Sequence, residues 1–278
     1  MGDVQKLVSE SFALEGLEEN VVWRDHVGPA LAHLPDNVRT ICHYGVTEIV
    51  NNAMDHSGGT TVWVWITQTA RRIMIQVGDD GVGIFRRMAE SSVIADPEQA
   101  VLELAKGGFT TMPERHTGEG IFFCSHAFDD VWILSEGFSF TTSAGQEPQI
   151  KPTQPTADWK TLVQLDITID SSRDLAEVFD RFAGSGDPPG FRRTSVPLRL
   201  AQTNGDALIA RSQAKRLLSR LDQFERVELD FEGVAMIGQA FADQVFRVFV
   251  LAHPDVEVTV RNASPQIEQM IRCAKARS

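Results

Sequence analysis

Glu48, Asn52 and His56 recur every four residues in Glu48-Ile49-Val50-Asn51-Asn52-Ala53-Met54-Asp55-His56. On a helix that spacing puts all three on one face. A carboxylate and an amide oxygen one turn apart suit a hard cation such as Mg2+, which takes oxygen ligands and keeps several waters. The same carboxylate can orient or deprotonate a water or a substrate hydroxyl. Asp55 stands beside His56 at the end of the segment and is grouped with it. Alone, these residues equally describe a solvated polar stripe on an amphipathic helix. Two glycine-rich segments downstream favour the chemical reading.

The first is Asp79-Asp80-Gly81-Val82-Gly83-Ile84. A carboxylate at a strand end can accept a hydrogen bond from an exocyclic amine such as that of adenine. Glycines beside it let the backbone approach a flat ring or phosphates. The second is Thr117-Gly118-Glu119-Gly120, which opens a helix over 121–127. Backbone N–H groups at such a helix start bind phosphate. Between them, residues 85–116 read as a mobile cover that carries Lys106, Arg115 and His116 within reach of phosphates. In this order and at this spacing the three segments point to an ATP site.

The elements that must position these residues are legible in the apolar pattern. Val38, Ile41, Cys42, Val46, Ile49, Val50 and Ala53 predict a helix over 38–54, started by Pro35 and Asp36. Alternation of Val62, Val64 and Ile66, and of Ile73, Ile75 and Val77, predicts strands over 61–68 and 71–77. Composition shifts after Ile169, with a short helix over 171–180 and a turn-rich stretch at 184–190. Strands at 196–200, 227–231 and 256–260 then alternate with helices at 210–221, 237–250 and 265–274, the pattern of a small α/β unit. Ser212 reads as a helix cap, and Asp243 as a solvated residue or a partner contact.

With these motifs in place, the chain resembles the GHKL ATPases, a superfamily that includes DNA gyrase B, heat-shock chaperone ATPases and histidine kinases. Glu48, Asn52 and His56 match its N box. Asp79, Gly81 and Gly83 match its Asp-x-Gly-x-Gly box, and Gly118 and Gly120 its second glycine box. Thr161, in Trp159-Lys160-Thr161-Leu162-Val163, matches the strand threonine beside adenine. The resemblance covers about residues 21–170. It implies ATP with Mg2+ on Asn52, Asp79 on the adenine amino group and Glu48 as the polarising base. Lys160 stands where a glycine is usual, and Glu119 stands between two glycines where histidine kinases tend to have an apolar residue. The compact ATPase more resembles the serine kinases that act as anti-sigma factors than a two-component histidine kinase. Residues 194–278 resemble the STAS-like domain of unknown function found beside GHKL ATPases. The matching stretches are Ser212-Gln213-Ala214, Leu229-Asp230-Phe231-Glu232-Gly233-Val234 and Ile237-Gly238-Gln239-Ala240-Phe241-Ala242-Asp243. The serine of STAS anti-anti-sigma proteins has no counterpart in Ile237-Gly238-Gln239-Ala240.

Composition narrows the function classes. A length of 278 residues allows two ordinary domains, and a formal charge of −12 argues against a general nucleic-acid surface. Arg211, Lys215, Arg216 and Arg220 form a local cationic run on one helix. Cys42, Cys124 and Cys273 are widely spaced, as expected for thiols in a reducing cytoplasm, and no pair has metal-ligand spacing. No apolar run approaches a membrane-spanning length, and no signal peptide is evident.

The expectation is therefore an α/β protein: a short segment over 1–20, a two-layer GHKL sandwich over 21–170, a linker over 171–193 and a small STAS-like α/β domain over 194–278. Its expected role is cytoplasmic regulation by ATP and Mg2+, with hydrolysis or transfer to a Ser/Thr of a STAS or sigma-factor-type partner. The alternative is a non-catalytic nucleotide-dependent binding module. Catalysis is expected from Glu48 and metal binding from Asn52. ATP contacts are expected from Asn52, Asp55, His56, Asp79, Gly81, Gly83, Ile84, Lys106, Arg115, Thr117, Gly118, Gly120 and Thr161. A homodimer is among the expected states; no membrane is involved, and nucleic acid is not expected for this chain alone.

Overall fold

Strand alternation builds the larger part of the chain. β1 (Gln5–Ala13), β2 (Thr61–Gln68), β3 (Arg72–Asp79), β4 (Asp130–Ser135), β5 (Phe138–Ser143), β6 (Gln149–Pro152) and β7 (Thr161–Thr168) form one sheet in the order β1-β2-β3-β7-β4-β5-β6. Every pairing in it is antiparallel. The computed structural model describes residues 4–90, 97–108, 118–143, 149–154, 159–185, 190–202 and 207–276. By packing, the chain divides into one unit of residues 1–100 and 109–179 and a second of residues 101–108 and 180–278.

In the first unit, helices α1 (Asp36–His56), α2 (Ile84–Ala89), α3 (Pro97–Lys106), of which residues 97–100 belong here, α4 (Gly120–Ala127) and most of α5 (Leu175–Phe182) accompany the sheet. One sheet face is apolar: Val62, Val64, Ile66, Ile73, Ile75, Leu165 and Ile167 are fully buried. Helix α1 packs on that face against β3 and β7 through Val38, Ile41, Val46, Ile49 and Val50. The other face carries Trp63, Trp65, Met74, Gln76 and Gln164, all half-buried. This is a two-layer α/β arrangement, with apolar residues inward on each strand and larger or polar ones outward.

Three sequence expectations change here. Within the expected segment over 1–20, residues 5–13 form β1, an edge strand of the sheet that buries Val8. Its alternation is weak because an edge strand buries little. β3 runs on to Asp79, so that carboxylate is the last residue of the ladder and lies opposite Thr161. The helix expected at 171–180 is α5, which starts at Leu175. There Asp174 Oδ1 accepts the backbone N–H groups of Ala176 and Glu177 at 2.8 and 3.2 Å, satisfying helix-start donors.

The second unit is a parallel sheet of β8 (Arg193–Pro197), β9 (Arg226–Asp230) and β10 (Glu257–Arg261), ordered β10-β9-β8. Parallel strands need crossovers, and helices α6 (Arg211–Leu218) and α7 supply them. Helix α7 runs through Gln239–Asp243, a π-wound Gln244–Phe249 and Val250–Ala252. Helix α8 (Pro265–Lys275) follows β10, capped by Ser264 Oγ, which accepts Ile267 N–H at 3.3 Å. Val196, Val227, Leu229, Leu217, Phe241 and Val245 are buried between sheet and helices.

The first strand here lies at 193–197 rather than 196–200. Pro197 closes it, and Leu198–Ala201 is a 3-10 turn. Ser212 is not a cap: Ala210 precedes α6, and Gln213 Oε1 accepts the Ile209 and Ala210 N–H groups at 2.9 and 2.8 Å. Asp243 is 7% exposed and takes both guanidinium contacts of Arg247, at 2.6 and 2.8 Å, so it is an interior ion-pair member and not a solvated residue. Cys42 and Cys124 are buried and Cys273 is exposed, all three free thiols. Among the described residues, no helix is long and apolar enough to cross a membrane.

Gly45 explains how closely α1 approaches the sheet. A Cβ there would lie 2.6 Å from the Phe128 ring and 2.8 Å from a Leu165 methyl. Glycine is unfavourable in a helix interior by about 1 kcal/mol, so close packing outweighs propensity at this position. Gly45→Ala is expected to lower stability in urea denaturation by about 1–3 kcal/mol, the range for overpacking. An unchanged or raised midpoint would contradict this packing argument.

Candidate functional site

Helix α1 presents Glu48, Asn52, Asp55 and His56 along its last two turns, each half-buried. The start of α4 lies against it. A Cβ at Gly120 would overlap Glu48 Oε2 and come within 3.0 Å of its carboxyl carbon. The absence of a side chain at 120 therefore lets the helix start close on the carboxylate. Gly118, two residues earlier, has φ +73. Tyr44, one turn before Glu48, has its phenol pushed well above the usual range, by burial first and then by Cys124, Glu48 and Glu119.

The aspartate motif forms a second cluster. Asp79 is 8% exposed, and its carboxylate accepts the Gly81 N–H at 2.9 Å and the Thr161 hydroxyl. Thr161 Oγ1 in turn accepts the Ile84 N–H at 3.1 Å. Gly83 has φ +90, and a Cβ there would meet Glu136 and Ser135. Asp79, Gly81, Gly83, Ile84 and Thr161 are thus one hydrogen-bonded group, built where β3 and β7 end side by side. Val82 N–H donates to Ser57 O at 2.9 Å, which ties this loop to the end of α1 directly after His56. The adjacent Asp80 has a different task. Its oxygens accept the N–H groups of Thr60 and Thr61 at 2.7 and 2.9 Å, holding the turn into β2.

Lys160 replaces an expected glycine without disturbing this group. Its backbone N–H donates to Asp79 O at 2.7 Å, while its side chain is exposed. Sequence reasoning missed Ser135, whose hydroxyl also accepts the Ile84 N–H at 3.1 Å and donates to Lys160 O at 2.9 Å. A serine at a strand end carries no pattern that would reveal this. The neighbouring Glu136-Gly137 was readable as a turn signal.

Lys106 departs from its expected place. It is 1% exposed in the second unit, where Nζ donates to Glu103 Oε1 at 2.6 Å and Ser219 O at 3.1 Å. Its carbonyl accepts the Thr194 hydroxyl at 2.6 Å. Arg220 also approaches Glu103, at 3.6 Å. An apolar helix face, Val101, Leu102 and Leu104, carries Lys106 inward, and the ammonium is held by an internal partner rather than presented to a phosphate. Arg115, His116 and Thr117 lie outside the described residues. Among the described residues, a cavity of about 450 Å3 lies at the start of α1 and is lined by Trp23, Arg24, Gly28, Pro29, Arg39, Thr40 and His43. His43 is stacked on Trp23 there, with ring centroids 4.4 Å apart.

A family model, described as a STAS-like domain of unknown function (DUF4325), matches residues 213–268. The match lies within the second unit and takes in β9, α7 and β10. No curated protein matches the chain.

Burial lifts Asp79 to about 6, against the pull of the Gly81 N–H and the Thr161 hydroxyl. The folded protein therefore keeps a proton that the unfolded chain releases at lower pH. The stability this group contributes is full below the ordinary carboxylate value and is lost as pH rises through about 6. At neutral pH the ionised group is disfavoured by about 3 kcal/mol. Asp79→Asn is expected to remove that share of the decline between about pH 4 and pH 6 in urea denaturation, leaving the share of Asp166, which burial also lifts to about 6. An unchanged pH profile would refute it. Lys106→Met is expected to destabilise the fold by about 3–5 kcal/mol, the range for breaking a buried ion pair. Near-wild-type stability would contradict the buried pair.

Proposed function

We propose that the chain is an ATP-binding regulatory protein of the GHKL type, in which nucleotide state governs the STAS-like unit. The observation that carries the reading is the Asp79 group: a desolvated carboxylate at a strand end, hydrogen-bonded to Gly81 N–H and Thr161, beside the helix that holds Glu48 and Asn52. A buried carboxylate that departs this far from its ordinary value is unfavourable for stability, and such groups concentrate at functional sites. Ionised Asp79 suits an adenine amino group, which donates where water would otherwise be needed.

On this reading, Gly118 and Gly120 admit the phosphates to the start of α4, where the backbone N–H groups of a helix start favour an anion. Asn52 holds Mg2+ through its amide oxygen. Among the described residues, no group of three or more His, Cys, Asp or Glu is placed to hold a metal ion. A cation at Asn52 would therefore take most of its ligands from phosphate and water, as Mg2+ does beside nucleotides. Glu48 accepts the proton of the attacking oxygen, from water in hydrolysis or from a Ser/Thr hydroxyl of a partner in transfer. That oxygen bonds to the gamma-phosphorus as ADP leaves. Such reactions need mainly positioning and charge stabilisation. The partner is a regulatory protein of STAS or sigma-factor type.

The chain order supports coupling to the second unit. Residues 101–108 lie between the two glycine motifs in sequence and are packed into the STAS-like unit. A change in the segment between the motifs on nucleotide binding would pull directly on that unit. A second reading, a binding module that holds nucleotide without turning it over, is favoured by Glu119. It stands in sequence between Gly118 and Gly120, where histidine kinases tend to have an apolar residue.

Glu48→Gln distinguishes the two. The enzyme reading expects Mg-ATP affinity within about threefold of wild type and phosphate release lowered by about 100-fold or more, the scale of a lost general base. Phosphate release and gamma-label on partner protein are the readouts. Equal release from mutant and wild type would rule out Glu48 as the base.

A further inference from the structure

Among the described residues β10 is the outer strand of the second sheet: it pairs with β9 on one side, and its other side is an edge. The hydrogen bonds to β9 reveal which backbone groups face outward. Glu257 N–H donates to Glu225 O at 2.8 Å, and Arg261 O accepts Phe231 N–H at 3.0 Å. Odd-numbered residues of β10 therefore turn their backbone groups to β9. Strand geometry leaves the N–H and C=O of Val258 and Val260 directed to the free edge.

The side chains of this strand are self-complementary. Placed antiparallel to a copy of itself with Thr259 on the two-fold axis, β10 sets Glu257 opposite Arg261 of the copy and Arg261 opposite Glu257. Val258 then faces Val260 of the copy. In this register the outward N–H and C=O of Val258 and Val260 bond reciprocally to those of Val260 and Val258 in the copy. Glu257 and Arg261 fall at non-hydrogen-bonded positions, where side chains approach most closely. A shift by two residues, the smallest that keeps outward groups paired, breaks both Glu257–Arg261 pairings, so the charges favour this register. Glu257 and Arg261 pair within the sheet with Arg226 at 3.6 Å and Glu228 at 3.8 Å, and their side chains stay 62% and 60% exposed, so a copy would meet charges held loosely at the surface. Val260 is 36% exposed although its paired neighbour Leu229 is 1% exposed, which is apolar surface on the helix-bearing side left uncovered at the edge.

We propose that β10 is a dimerisation strand: two copies of this chain join edge to edge through Glu257–Arg261 of each, making one six-stranded sheet from two three-stranded ones. An isologous contact of this kind closes after two copies and occupies the edge, so the open strand does not recruit further chains. The interface is small, which places it among weak, concentration-dependent associations. It is independent of the nucleotide reading, since neither Glu257 nor Arg261 belongs to that site.

Sedimentation equilibrium of the full chain across the micromolar range tests it, with circular dichroism to verify the fold of each variant. Wild type is expected to pass from monomer to dimer. Arg261→Glu sets like charges opposite each other at both ends and is expected to weaken association by about tenfold or more. The double swap Glu257→Arg with Arg261→Glu restores opposite charges and is expected to recover association to near wild type. A wild type that stays monomeric, an Arg261→Glu variant that dimerises equally well, or a folded double swap that fails to recover would each overturn the proposal.

Discussion

The arrangement of the first unit turns on one unfavourable placement, a carboxylate kept out of water at the end of β3. Asp79 retains its position because two neighbours supply hydrogen bonds: the Gly81 N–H from the turn and the Thr161 hydroxyl from β7. For Thr161 to be there, β7 must lie beside β3 in the register that pairs Thr161 with Asp79. For the turn to fold back, Gly83 must take a left-handed conformation, and the loop must fasten to Ser57 at the end of α1. Sheet order, helix end and glycine positions are thereby parts of one constraint.

Much of this was legible in the residues. Period-four apolar spacing gives α1, and strict alternation gives β2 and β3, since each element buries one face. Glycines mark the places where elements meet without a side chain between them: Gly45 under Phe128, Gly81 at Ser57 and Gly120 at Glu48. Other features lacked a local signal. β1 buries only Val8 and shows no clean alternation. Ser135 matters because a strand distant in sequence carries it to Ile84 N–H. Lys106 was the most misleading residue. A lysine before two glycines in a polar stretch reads as a mobile cation, yet the apolar residues of the same helix turn draw it into the core with Glu103. Periodicity of Val101, Leu102 and Leu104 was the overlooked clue.

The second unit is a different kind of object. Its sheet has helices over one face and exposed polar residues on the other, and both outer strands are edges among the described residues. Its residues 213–268 match a STAS-like domain. It also holds eight residues from the middle of the chain, 101–108, fixed by Lys106 Nζ on Ser219 O, Arg220 beside Glu103 and the Thr194 hydroxyl on Lys106 O. On the proposed reading, this insertion is how a nucleotide event at Glu48 and Asp79 reaches a unit that contains neither.

The central claim is that the Asp79 group recognises the adenine of ATP. Calorimetric titration of Mg-ATP into the full chain, wild type against Asp79→Asn, tests it most directly. The account predicts saturable binding of one nucleotide per chain by wild type, and a loss of about tenfold to 100-fold in affinity for the variant, as expected when a buried donor–acceptor pair is left incomplete. Absence of binding by wild type, or equal affinity of both proteins, would contradict it.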